Sequence, residues 1–183
     1  MSEVNHNRRS IRLPGYDYTQ PGAYFITVVT YARAFILGEI TGETMRLSPI
    51  GEMVSEELPR LENRFAALEL DEWVIMPNHV HILLILGRGT GDSIKSLPHI
   101  DLPRAPTSER FGAPVAGSIP TIVRSLKSST TQRFIRLTGD RSTRLWQRNY
   151  YDRIIRTEDE LRRARGYIQN NPLQWALDSE NTG

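Results

Sequence analysis

Two strongly apolar runs, Ala67–Met76 and His79–Leu86, are separated only by Pro77-Asn78, and no other feature constrains the fold of this chain as tightly. Proline and asparagine between two such runs are turn chemistry, so the pair predicts antiparallel neighbours at the centre of a sheet. The rest of the chain has to be arranged around them. Tyr24–Thr30 is β-branched and aromatic, follows the turn signal Pro21-Gly22, and predicts a further buried strand. Phe35–Ile40 and Glu43–Leu47 flank Thr41-Gly42 and predict a short hairpin. Ile50, Met53, Val54 and Leu58 fall at helical spacing within 49–61, where Pro59 should end or kink the helix.

Residues 88–118 carry Pro98, Pro103, Pro106 and Pro114 among scattered Gly and Ser, without a sustained period. They predict a long connection rather than a second domain, and 183 residues suit one domain at roughly 100–200 residues each. A helix is predicted over 120–137 and a last strand over 150–156. The final helix has the clearest limits: Thr157-Glu-Asp-Glu160 is a capping box, and Asn171-Pro172 stops the helix because a residue before proline avoids the α region. The sequence of elements implies an α+β sandwich with a mainly antiparallel sheet.

Composition excludes several classes. No stretch reaches the ~18 apolar residues of a membrane span, and Met1–Arg12 is polar and basic, unlike a secretory signal. The chain has no cysteine, which removes disulfides, thiolate metal sites and thiol nucleophiles, and the expected setting is cytoplasmic. The net charge of +2 conceals an asymmetry. Residues 118–165 hold 12 basic and 5 acidic side chains, whereas residues 1–117 hold 11 and 14. All but Lys127 of those 12 are arginine, whose planar fork suits phosphate. A solvated helix surface is the commoner explanation of a charge run, yet an excess this local points toward a nucleic-acid partner.

Three local patterns bear on chemistry. In Met76-Pro-Asn-His79-Val80-His81, residues two apart share one strand face, so His79 and His81 project side by side. Two uncompensated imidazoles opening so apolar a strand would be costly, which favours a shared divalent ion over two ordinary hydrogen-bonded histidines. In the last helix Tyr167 and Asn171 are four apart and share a face. An asparagine oxygen is a suitable hard ligand and a tyrosine hydroxyl a potential nucleophile, but a tyrosine packed against the sheet is the simpler reading of this pattern alone. Leu145-Trp146-Gln-Arg148-Asn-Tyr150-Tyr151-Asp152-Arg153 mixes rings with basic groups. It reads equally as a base-stacking surface and as a buried aromatic anchor before a strand.

Together these segments resemble the HUH-type single-tyrosine transposases, in particular the REP-associated branch. The resemblance is carried by Arg8-Arg-Ser-Ile-Arg-Leu-Pro-Gly-Tyr-Asp-Tyr18 with Gly22-Ala-Tyr-Phe25, by Met76–His81, by Leu145-Trp-Gln with Tyr151–Arg156, and by Tyr167-Ile-Gln-Asn-Asn-Pro172. It implies a ferredoxin-like (RRM-like) fold and a divalent ion, Mg²⁺ or Mn²⁺, held by His79, His81 and Asn171. Tyr167 is implied as the nucleophile, preferred over Tyr150 and Tyr151. The implied reaction is nicking and rejoining of single-stranded or hairpin DNA through a 5′-phosphotyrosine, by a monomer or homodimer away from membranes. Arg124, Lys127, Arg144, Trp146, Arg148, Arg153 and Arg163 are then the expected DNA contacts. A non-catalytic module that binds single strands on a ferredoxin-like sheet, and a phosphoesterase that uses water, are the competing classes.

Overall fold

The computed structural model describes residues 13, 16–87 and 115–177. The connection expected at 88–118 lies, apart from its last four residues, outside the described residues, as does most of the arginine-rich segment from Arg8 to Gly15.

The two apolar runs form β4 (Leu68–Met76) and β5 (His79–Leu86), antiparallel through Pro77-Asn78. The earlier strand, β1 (Gly22–Val29), pairs antiparallel with β5 on one side and with β6 (Tyr151–Ile155) on the other. The sheet order is therefore β4-β5-β1-β6. The hairpin β2 (Gly38–Thr41) and β3 (Thr44–Leu47) forms a separate two-stranded ribbon. The helix expected before Pro59 is cut there into α1 (Pro49–Glu57) and α2 (Arg60–Arg64), because proline has no N–H with which to continue the ladder. With α3 (Ile119–Thr138) and α4 (Glu158–Asn170), the path β1-α1-β4-β5-α3-β6 is that of a ferredoxin-like sandwich, with the hairpin inserted after β1 and a helix added at the end. Among the described residues no helix is long and apolar enough to cross a membrane.

Strand alternation divides the sheet. Tyr24, Ile26 and Val28 of β1, with Val80, Ile82 and Leu84 of β5, face α1, α2 and α3 and form the larger core. Ala23 of β1, Leu83 and Ile85 of β5 and Ile155 of β6 face Leu161, Ala164 and Ile168 of α4. Every residue of β5 is buried because helices cover the sheet on both sides of it. The second face also carries Thr27, Val29, His79 and His81, whose registers are Thr27↔His81 and Val29↔His79.

The insertion is seated by Gly51. The first turn of α1 is capped by Ser48, whose hydroxyl accepts from Gly51 N–H at 3.1 Å and donates to the Ile36 carbonyl at 2.6 Å. This draws α1 so close to the preceding chain that a Cβ on Gly51 would land on the Leu37 carbonyl oxygen, backbone that cannot turn aside. Glycine to alanine inside a helix ordinarily stabilises by about 0.5–1 kcal/mol. Here overpacking reverses the sign: Gly51→Ala is expected to destabilise by about 2–3 kcal/mol and lower the melting temperature by about 5–10 °C. A thermal melt that stays put or rises would show that α1 is not held against Leu37.

Candidate active site

β5 puts His79 and His81 on one face and sends Val80 into the larger core. The two histidines are 0% and 4% exposed, and their Nε2 atoms lie 2.9 Å apart. Each ring is held from behind. His79 Nδ1 is 2.8 Å from the Asn78 side-chain oxygen, and His81 Nδ1 is 2.9 Å from the Thr27 hydroxyl on the neighbouring strand. Asn78 is itself fixed, since its backbone carbonyl accepts from Thr30 N–H at 2.8 Å and from the Thr30 hydroxyl at 2.9 Å. An amide oxygen facing Nδ1 keeps the proton there and leaves the Nε2 lone pair of His79 pointing forward. A Thr27 hydroxyl that accepts from His81 does the same for its ring.

This arrangement fits a bound divalent cation. Two nitrogens 2.9 Å apart have the separation of adjacent ligands on one ion at about 2.0–2.1 Å, and the outer ring nitrogens have the partners that orient metal-binding histidines. Among the described residues no group of three His, Cys, Asp or Glu side chains could supply a full protein cage. Asn171 stands at the C-terminal cap of α4, 1% exposed. Its chain neighbours flank the histidines: the Tyr167 ring centre is 5.2 Å from that of His81, and the Trp175 ring centre is 6.0 Å from that of His79.

Tyr167 lies one turn before the end of α4, with its hydroxyl 3.4 Å from His81 Nε2 and its ring 40% exposed. Phe25 supports the ring edge-on at 5.9 Å. The phenol thus faces the histidines while remaining open to a large substrate. Its position depends on how α4 crosses the sheet. A bulge between Leu70 and Glu72 re-aims Asp71, whose carboxylate accepts two hydrogen bonds from Arg165 at 2.8 and 2.9 Å. Gln169 adds a 3.0 Å bond to Glu72. At the other end Thr157 caps α4 by accepting from Glu160 N–H at 3.1 Å, while Glu160 reaches back to Arg156 N–H at 2.8 Å, one residue further than the usual box.

The sequence did not single out Thr27, Asn78 or Asp71. An asparagine in a turn and a threonine in a strand look ordinary until register puts them behind the two rings. Tyr150 is buried, whereas Tyr151 is exposed at the register position opposite Thr27, on the same face as His81.

The expected DNA contacts separate into groups. Arg124, Arg144 and Arg148 are exposed and, with Arg141, line a cleft of about 630 Å³ between α3 and the segment after it. Arg144 stands over the Tyr31 ring at 5.6 Å. Lys127 reaches into the same cleft but donates to the carbonyls of Gln147 at 2.8 Å and Asn149 at 2.7 Å, and burial pulls its pKa down to about 8. Its ammonium holds the loop that presents Arg148. Trp146 is 7% exposed and donates its indole N–H to Thr130 at 2.8 Å, so its ring anchors the loop at the wall of the cleft. Arg153 lies on β6, on the face of His81, and pairs with Glu160 at 3.4 Å; Arg163 is on the exposed side of α4.

If four cleft arginines each neutralise one phosphate, the logarithm of the DNA-binding constant should fall with log[salt] at a slope of about −3 to −4. Arg144→Ala should make that slope shallower by about 1. A slope near zero in a salt titration would remove the cleft from DNA binding.

No family model matches the chain. An uncharacterized protein of Haemophilus influenzae is 36% identical over 176 residues, covering 94% of this chain and 92% of that protein. The chain belongs to the same family as that protein. Among solved structures, one of a REP-associated tyrosine transposase bound to a REP hairpin superposes with a TM-score of 0.56 at 17% identity, over 93% of this chain and 76% of that one. That likeness is one of fold: the four-stranded antiparallel sheet and its helices are arranged as in a transposase.

Proposed function

We propose that the chain is a metal-dependent DNA nickase and strand transferase of the single-tyrosine type, acting on hairpin DNA with an unpaired strand. The observation that carries this reading is that His81 Nε2 lies 2.9 Å from His79 Nε2 and 3.4 Å from the hydroxyl of the exposed Tyr167. The transposase-like fold and the neighbour's bound REP hairpin support the choice of DNA as substrate.

His79, His81 and Asn171 would hold the ion. When bound, it supplies Lewis-acid polarisation of the scissile phosphate. Tyr167 does the covalent work. Its oxygen forms a bond to phosphorus as the phosphorus–O3′ bond breaks, the phenol proton passes to solvent water, and the departing 3′ oxygen takes up a proton from solvent to become a free hydroxyl. The 5′ end remains on the enzyme as a phosphotyrosine. Attack by a 3′-hydroxyl reverses the step and rejoins strands without an external energy source. The cleft containing Arg124, Arg144 and Arg148 would neutralise the phosphates of the hairpin stem.

The test is incubation of a library of labelled DNA hairpins carrying a single-stranded foot with the protein and Mn²⁺ or Mg²⁺, followed by a denaturing gel. A protein-linked DNA band that disappears with chelator is expected. Tight binding to the hairpins with no such band under either ion would leave a non-catalytic binding module.

A further inference from the structure

Lysine is rare in this chain. Of its 23 basic residues only Lys95 and Lys127 are lysine, and every other basic residue of 118–165 is arginine. The exception stands where the two side chains differ in effect. Arginine offers a planar fork that suits partners lying side by side, whereas an ammonium turns three donors outward from one point. Lys127 uses that geometry. Its Nζ donates to three successive carbonyls, those of Gln147 at 2.8 Å, Arg148 at 3.4 Å and Asn149 at 2.7 Å. Carbonyl oxygens aimed at one point repel one another and need a cation between them. The loop that carries them is tied to the sheet at its start, where Trp146 bridges to Thr30 and Gln147 N–H donates to the Val29 carbonyl at 2.9 Å. From there its carbonyls turn onto the ammonium while the Arg148 side chain lines the cleft.

This ammonium is enclosed by its own sign. From α3 its charged neighbour in the cleft is Arg124, and from the segment after α3 they are Arg141, Arg144 and Arg148. The other titratable group is Tyr150, whose ring centre is 5.9 Å away. Asp140, the single acid of 139–150, is bonded instead to Ser142 and Thr143. Among the described residues no carboxylate lines the cleft. Burial without a carboxylate to match it is what brings the Lys127 pKa down to about 8. Phosphates entering the cleft would supply the missing negative charge. They favour the protonated form, and by reciprocity the protonated form favours them. Loss of the proton leaves an amine with two donors for three carbonyls, and the loop that presents Arg148 loses its centre.

We infer that Lys127 is the positioning residue of the DNA cleft: its ammonium assembles the 147–149 loop around one point, and a DNA hairpin binds the assembled form and takes up a proton in doing so. The inference rests on the reading of this cleft as a DNA site, and it adds a proton that binding must carry.

The probes are the footed hairpins that the wild type binds from the library, with affinity read by fluorescence anisotropy at fixed salt from pH 7 to 9. Wild-type binding should be about tenfold weaker at pH 9 than at pH 7, because the protonated fraction of Lys127 falls by about that factor while arginines and phosphates keep their charge. At pH 8, calorimetry in buffers of different ionisation enthalpy should show uptake of about half a proton per hairpin. Lys127→Met and Lys127→Arg should both lose the pH step and the proton uptake, and Lys127→Met at pH 7 should bind about as weakly as the wild type at pH 9. A wild-type affinity flat in pH, a step that survives in either variant, or wild-type affinity in Lys127→Met at pH 7 would each overturn the clamp. With two lysines in the chain, ¹³C-lysine NMR also reads the titration in the wild type, Lys95→Arg assigning the signals. A Lys127 midpoint that stays put when hairpin is added overturns the clamp with position 127 untouched. Binding that depends on salt but not on pH removes the clamp alone, whereas no hairpin bound at any pH removes the DNA reading with it. Adduct formation in the same samples reports separately on nicking.

Discussion

Tyr167→Phe is expected to abolish the covalent protein–DNA band, a loss of about a thousandfold or more, while binding the same hairpins within about twofold of wild type. The substitution is well matched to the question. Phenylalanine keeps the ring contacts with Phe25 at 5.9 Å and His81 at 5.2 Å, and the ring is already 40% exposed, so the fold loses almost nothing. What disappears is one oxygen, 3.4 Å from His81 Nε2. A band that survives would move the nucleophile elsewhere, and Tyr151 would be next to test, because its strand position faces Thr27 on the same side of the sheet. Cleavage that survives without a band would make water the nucleophile and turn the chain into a phosphoesterase.

Parts of this site could be read in the sequence because they depend on local periods. The two-residue repeat of a strand puts His79 and His81 on one face whatever that strand packs against. The four-residue spacing does the same for Tyr167 and Asn171 on α4. The antiparallel pairing of the two apolar runs around Pro77-Asn78 also followed from the chain, but their place at the centre of the sheet is true only of β5: β1 is its central partner and β4 lies at the edge, while the ferredoxin-like order was what the resemblance implied. What was not legible is the set of contacts that join distant segments. Arg165 counts in the sequence as one more arginine of a basic run, yet it is spent on Asp71, 94 residues earlier, and helps to decide where Tyr167 stands. Trp146 and Lys127 look like nucleic-acid contacts until their polar atoms are followed, one to Thr130 and the other to loop carbonyls. Residue type gives the chemistry a side chain can do, and the partner it has already taken decides whether that chemistry is available. Thr27 and Asn78 are the converse case, common residues given a role by register.

The ranking of substitutions around the histidine pair should follow from that register. His79→Ala or His81→Ala removes one of two nitrogens aimed at a common point, and Mn²⁺ binding measured by calorimetry should fall below detection together with the adduct. Thr27→Val is nearly the same shape and leaves both nitrogens in place. It removes only the hydroxyl 2.9 Å from His81 Nδ1 and should weaken Mn²⁺ by about 10–100-fold, with the melting temperature little changed. Two imidazoles also set the order of metals: nitrogen donors favour the later first-row ions over magnesium, so Mn²⁺ should bind more tightly than Mg²⁺ and support the adduct at lower concentration. The ranking separates two uses of the same geometry. If the rings served only to complete a hydrogen-bonded strand end, His79→Ala would lower stability and leave Mn²⁺ affinity where it was, and Thr27→Val would do little to either. If they form a chelate, affinity falls in the order wild type, Thr27→Val, His79→Ala, and the adduct falls with it. Equal Mn²⁺ affinity in the wild type and His79→Ala would take the ion away from the pair, and with it the reason for Tyr167 to stand beside His81.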